Sequence, residues 1–148
     1  MLDPAPVPRA LPDGLLASVD VLMPNEGELA TLVGLPTGTD GEAARAAAAL
    51  RAEGVGTVVV KRGERGALVV DDRGVRSIPS PIVDAVDTTG AGDCFDGALA
   101  VALGEGQALD EAIHFATHAA ALACTRVGAQ EAQPTRTEVE RLLRSTGG

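Results

Sequence analysis

Aromatic residues are nearly missing from this chain of 148 residues: there is no Trp, no Tyr and only two Phe. Single-stranded nucleic acid is usually held by bases stacking on aromatic rings, and that platform is lacking. Basic residues are scarce as well. Twelve Lys and Arg stand against 21 Asp and Glu, a net charge of −9, which argues against a phosphate backbone as partner. Two cysteines, Cys94 and Cys124, lack C-x-x-C spacing and fall in predicted helices, so they read as reduced, buried small hydrophobes. No run approaches the 18 apolar residues of a membrane span, and the opening "MLDPAPVPRALPDG" has no basic-then-apolar leader pattern. These absences suggest a cytoplasmic protein with neither nucleic acid nor membrane as partner.

What is present is a core of Ala, Val and Leu, with 45% of the chain hydrophobic. That is enough for one domain. Pro4, Pro6, Pro8 and Pro12 keep the first residues extended or turning. "LLASVDVLMP" predicts a short helix and then a buried strand ending at Met23. "NEGELATLVG" predicts a helix, with Asn25 as N-cap, Glu28 as its capping-box partner and Gly34 as the stop. "GEAARAAAALRAEG" is helical by propensity and closes at Gly54. "TVVVKRG" is a β-branched run of the kind covered on both faces, and "GALVVDDRGVRSIP" reads as a hairpin turning at Asp71 to Gly74. A short strand is expected near Pro81 to Val86. Helices follow from Asp93 to Leu103, from Leu109 to about Arg126 and from Thr137 to Arg144. Alternating strands and helices predict an α/β domain around a mostly parallel sheet.

The stretch most suggestive of chemistry is "DTTGAGDCFDGA", Asp87 to Ala98. Small consecutive residues leave backbone N–H groups uncovered, and a helix N-terminus adds about half a positive charge. Together these form an anion hole. Asp93, in the first turn, either favours the helix dipole or accepts a proton from an attacking hydroxyl, and spacing alone does not choose between the two. The stretch is no dinucleotide fingerprint, because Phe95 stands where a third Gly belongs, and the chain has no G-x-x-x-x-G-K-[ST] loop. "KRGERG", Lys61 to Gly66, is either a tight hairpin or a close backbone approach to a nucleotide; a G-x-x-G clamp on RNA conflicts with the acidic balance. His114 and His118 share a helix face, yet the H-E-x-x-H glutamate and a third ligand are lacking, which disfavours a zinc site. No Ser or Cys has a companion base at a recognisable spacing.

Taken together, "PNEGE", "VVVKRGERGALV", "DTTGAGDCFDGA" and "TRVGAQ" resemble the corresponding segments of the PfkB carbohydrate kinases. The run from Asp3 into Asn25 and Glu28 is most similar to the ribokinase branch. The resemblance implies a three-layer ribokinase-like fold, of which this chain matches only the C-terminal, nucleotide-binding half. The N-terminal half of the family carries sugar contacts, a Gly-Gly hinge and a β-sheet lid. By resemblance, Asp93 is the general base that also meets the substrate, and Gly90, Ala91 and Gly92 form the anion hole. Asn25 and Glu28 organise Mg²⁺, its waters and the phosphates. Lys61, Arg62, Gly63, Glu64, Arg65 and Gly66 form the nucleotide-side loop, with Thr117 beside the adenine where the family often has Asn. Asp87 and Thr89, with backbone near Ala123, Arg126 and Gly128, correspond to a monovalent-cation (K⁺) site, and Ala132 stands where a polar residue often closes it. The implied activity is transfer of the ATP γ-phosphoryl to a primary hydroxyl of a pentose. A nucleotide-binding fragment without turnover is the alternative. Association into a homo-oligomer, through surface that the other half would cover, is a further expectation.

Overall fold

The computed structural model describes residues 1–7 and 11–146, so Pro8 lies outside the described residues. The chain divides into two compact units: Met1–Arg62 with Ala67–Ser77, and Gly63–Gly66 with Ile78–Gly148.

The first unit is built on a sheet of four strands in the order β1 (Val21–Leu22), β2 (Thr57–Lys61), β3 (Ala67–Asp71) and β4 (Gly74–Ile78). β1 runs parallel to β2, pairing Val21 with Thr57 and Leu22 with Val58. β2 is antiparallel to β3, from Val58 opposite Val70 to Lys61 opposite Ala67. The sheet is therefore mixed, which corrects the expectation of a mostly parallel one. Connection length gives the reason. Only the β1-to-β2 link, which carries two helices, is long enough for a parallel crossover. β3 and β4 are joined through Asp72 and Arg73 alone, a link that permits only an antiparallel hairpin. Arg76 clasps the hairpin with two 2.8 Å bonds to the Asp71 carboxylate. That side-chain bond is the main reason the Asp71 carboxyl is held at about 2.

The crossover helices are α1 (Glu26–Val33) and α2 (Asp40–Ala52). α1 starts at the expected capping box, in which Asn25 Oδ1 accepts the Glu28 N–H while Glu28 Oε2 accepts the Asn25 N–H. It stops at Gly34, with φ of 69°, a left-handed turn suited to Gly. α2 has a second capping box, between Thr39 and Glu42. Its Ala43, Ala46, Ala47 and Leu50 recur at helical spacing and are buried with Leu22, Leu29, Val58, Val60, Leu68 and Val70 in one core cluster. Val59 and Val69, which alternate to the other face, are also fully buried, as the continuous β-branched run predicts.

The second unit is helical: α3 (Ala91–Gly104), α4 (Leu109–Ala123) and α5 (Arg136–Thr146). α3 and α4 are joined by the four residues Glu105 to Ala108 and pack as antiparallel neighbours. α4 is buried on most of its surface, including Ile113, Phe115, Thr117 and His118. Pro81 to Val86 does not form the expected strand. Proline removes a ladder donor, Ile82 is fully exposed, and the Val86 N–H goes to the Cys124 carbonyl instead of a neighbouring strand. α4 also ends sooner than expected. The Thr125 hydroxyl and N–H both donate to the Leu122 carbonyl, and the Arg126 N–H donates to Ala123, tightening the last turn. Cys124 thus sits at the helix end and is only partly buried, whereas Cys94 is buried within α3.

The Thr39 box makes a specific energetic claim. Thr39→Ala should lower stability to urea by about 1 kcal/mol, the usual value of an N-cap hydroxyl, while Thr39→Asp should retain it. Equal midpoints for Thr39→Ala and the parent would remove the cap from the account of α2.

Candidate functional site

The turn leading into α3 is assembled from backbone bonds within the second unit. Val86 and Asp87 both donate their N–H groups to the Cys124 carbonyl, at 2.7 and 3.1 Å. The Asp87 carboxylate then accepts the Thr89 N–H on one oxygen (2.9 Å) and the Gly128 N–H on the other (3.0 Å). The Gly128 bond is the largest cause of a carboxyl pKa of about 2, followed by the bonds from Thr89. Asp87, Thr89 and Gly128 are thus brought together. Arg126 and Ala123 lie on the adjoining segment, where the Ala123 carbonyl accepts the Arg126 N–H. Ala132 is fully buried.

Gly90 follows as the α3 N-cap with φ of 76°, a conformation costly for any other residue. A Cβ there would also stand 3.3 Å from the Ala129 Cα. The Ala91 N–H turns back to the Thr88 carbonyl, and the Cys94 N–H bonds the Gly90 carbonyl. That leaves the Gly92 and Asp93 N–H groups at the helix end with no partner among the described residues. Of the expected donors Gly90, Ala91 and Gly92, Ala91 is already satisfied, whereas the Gly90 N–H, like that of Gly92, has no partner among the described residues. Asp93 is exposed, and its carboxylate has no hydrogen-bond or ion-pair partner among the described residues. Two open amides and a carboxylate in one helical turn can hold an anion and take a proton from a group beside it.

Asp93 also borders a groove of about 250 Å³, with Gly97, Ala98, Val101 and Phe115 on its apolar side and Arg136 on its polar side. Arg136 lies over the Phe115 ring at 5.3 Å. Sequence reading missed this residue, since nothing along the chain links it to Phe115. Burial pushes the neighbouring Cys94 thiol up to about 11, so it stays a thiol.

The glycine loop also differs from its expected form. Gly63–Arg65 is a single helical turn closed by the Gly66 N–H to the Gly63 carbonyl, with Gly63, Glu64 and Arg65 exposed. Gly66 has φ of 80°, and a Cβ there would come within 2.6 Å of the Ser80 nitrogen, a close backbone approach only Gly permits. In the first unit, Lys61 pairs with Asp3, and Arg62 is buried with its guanidinium on Asp40 and Ser77. Their charges thus serve internal pairs, so any role at a nucleotide falls to backbone here. Asn25 and Glu28, in the same unit, hold each other through the capping box.

On α4, the buried Thr117 hydroxyl donates to the Ile113 carbonyl at 2.8 Å. His118 is also buried; its Nδ1 is 2.9 Å from the His114 carbonyl and its Nε2 2.9 Å from the Thr146 hydroxyl. Burial lowers its pKa and favours the neutral ring. Both nitrogens are engaged, which is the arrangement of a packed core histidine.

A family model, described as pfkB family carbohydrate kinase, matches residues 1–136, and the chain belongs to that family. Ribokinase from Haemophilus influenzae is 39% identical over 143 residues, 97% of this chain and 46% of its own length. The crystal structure of ribokinase from Thermotoga maritima is 42% identical with a TM-score of 0.87, over 96% of this chain and 48% of that one. Arabidopsis thaliana ribokinase, solved with ribose and ATP, is 40% identical with a TM-score of 0.85, over 90% of this chain and 43% of that one. The chain thus spans about half the length of the relatives it matches.

The Asp87 bonds set a pH dependence. Its folded pKa of about 2 lies below the ordinary 3.8, so its stabilisation is complete above pH 3.8 and is lost as pH falls through about 2. Acid titration followed by circular dichroism should show a shallower decline between these values for Asp87→Asn than for the parent. Parallel curves would mean that the two amide bonds contribute nothing to stability.

Proposed function

We propose that this chain is the C-terminal, ATP-binding half of a ribokinase-like sugar kinase. The observation that supports the reading most is the pair of open amides at Gly92 and Asp93 in the same turn as the exposed Asp93 carboxylate. In phosphoryl transfer there is little covalent work for the protein; positioning and stabilisation of developing charge do most of it. The amides take the negative charge of the transferring group. Asp93 takes the proton of the attacking primary hydroxyl, on a pentose such as ribose. The exposed Gly63–Arg65 turn contributes the nucleotide-side loop, and Thr117 lies beside the base.

Asn25 and Glu28 organise Mg²⁺. Their oxygen donors suit a hard cation that keeps several of its waters, and one Glu28 oxygen is already spent on the Asn25 N–H. Held there with ATP, Mg²⁺ would supply neutralisation of the phosphate charge. Asp87, with carbonyls near Thr89, Ala123, Arg126 and Gly128, offers a carboxylate and backbone oxygens, a donor set that suits K⁺. A second reading, nucleotide binding without turnover, is favoured by the chain's span of about half its relatives.

Calorimetry and a chimera test both. Gly90→Val, which forces a side chain onto a positive-φ position facing Ala129, should weaken Mg²⁺·ATP binding at least tenfold, whereas Asp93→Asn should leave it unchanged. Joined to the N-terminal half of Thermotoga maritima ribokinase, the chain should show ribose-dependent turnover, and Asp93→Asn should lower it by roughly 10²–10⁴-fold, the range for a lost general base. A loss below tenfold would leave Asp93 as a helix-dipole residue. No turnover in a folded, ATP-binding chimera would favour the second reading.

A further inference from the structure

Residues 23–25 of the first unit run between two other segments. On one side, the Leu2 N–H donates to the Val21 carbonyl and the Leu2 carbonyl accepts the Met23 N–H, both at 2.9 Å. On the other side, the Lys61 N–H donates to the Pro24 carbonyl at 2.8 Å, and Lys61 faces Asn25 in a parallel bridge. The side chains that follow these contacts meet. Lys61 Nζ lies 3.2 Å from Asp3 Oδ2, with side-chain exposures of 13% and 25%. The other Asp3 oxygen accepts the Ala5 N–H at 3.3 Å, which holds the carboxylate in place.

We propose that Asp3 and Lys61 are positioning residues, an ion pair that clamps residues 23–25 and so fixes Asn25 and the capping box at the start of α1. The inference rests on the reading of Asn25 and Glu28 as organisers of Mg²⁺ and phosphate. The reasoning is geometric. β1 is only two residues long, so backbone pairing alone holds the chain beyond Leu22 weakly. Both capping-box bonds start from Asn25: its N–H is held by Glu28 and its Oδ1 holds the Glu28 N–H. A drift of Asn25 therefore moves both groups together. Strands lie about 4.8 Å apart, so a pair formed between the two flanking segments must span two such spacings, which a Lys stem and an Asp can do. A charge-assisted bond this shielded is stronger than a solvent-exposed pair. Lys61 thus acts through Asn25 and not on the phosphates.

The test uses the whole chain carrying Asp3→Asn, Lys61→Met, both together, or Lys61→Arg. Amide hydrogen exchange at Asn25 and Glu28 reads local opening, and ATP affinity is measured with and without Mg²⁺. Asp3→Asn and Lys61→Met should each speed exchange at these two amides about tenfold and reduce the Mg²⁺-dependent gain in ATP affinity by a similar factor. The double variant should add little to either single one, as residues acting as one unit do. Lys61→Arg should restore both readouts. If Lys61→Met weakens ATP binding while Asp3→Asn changes neither readout, Lys61 is a direct ligand and the proposal is overturned. Unchanged exchange in every variant overturns it as well. Should the parent chain bind no ATP, exchange still decides the clamp, and only the kinase reading falls.

Discussion

The Asp87 carboxylate ties the α3 turn to the loop after α4, and the geometry of the candidate site follows from it. One oxygen accepts the Thr89 N–H and the other the Gly128 N–H, so the carboxylate spans 41 positions of sequence with two short bonds. With the Cys124 carbonyl accepting from Val86 and Asp87, the turn is pinned at its start. The chain must then reach α3 within a few residues, and it does so through the left-handed Gly90 packed against Ala129. The helix consequently opens with two N–H groups unspent. Open amides at a helix start are costly in an apolar setting but harmless next to water or an anion. This turn keeps Gly92 and Asp93 exposed, the condition under which such donors can be retained for a ligand.

The first unit reaches a similar end by different means. Its two crossover helices each begin at a capping box, which satisfies the first donors internally and leaves them unavailable to a ligand. Asn25 and Glu28 therefore present side-chain oxygens in a fixed arrangement instead of free amides. Their fixity depends on where Asn25 sits, and that depends on the short pairing of residues 23–25 with Leu2 and Lys61. Two kinds of group are thus presented in the chain: open backbone donors at the start of α3, and side-chain oxygens constrained by a capping box at the start of α1.

Local features were legible in the sequence where a single short-range rule governed them. The Asn25 box, the Gly34 stop, the buried β2 run and the turn at Asp71 to Gly74 all stand as their residues imply. Features that depend on distant partners were not legible. Pro81 to Val86 has strand-like composition, but its Val86 N–H is drawn to the Cys124 carbonyl instead of a ladder. The expectation of a mostly parallel sheet followed from the alternation of strands and helices, whereas the links after β2 and β3 are too short for a parallel crossover. Arg62 read as a nucleotide-side residue because it sits in the glycine loop motif. Its burial against Asp40 and Ser77 comes from residues 22 positions before it and 15 after it, which no local pattern reveals. The same holds for Lys61 and Asp3, 58 positions apart.

The near-absence of aromatic residues gives the architecture its character. A core of Ala, Val and Leu allows helices such as α3 and α4 to pack through small residues, so backbones lie close to one another. Close backbones put amides and carbonyls within reach of neighbouring loops, and the Val86–Cys124 and Gly66–Ser80 approaches are both of this type. Recognition that rests on backbone groups has a definite sensitivity. It fails when a Cβ is forced into Gly66 or Gly90, or when the Asp87 carboxylate that pins the α3 turn is lost. Backbone donors do not have rotamers to lose, so an arrangement built from them is held in place before any ligand arrives. Asp93, proposed above as the general base, stands in the first turn of α3 as an exposed carboxylate with no partner among the described residues.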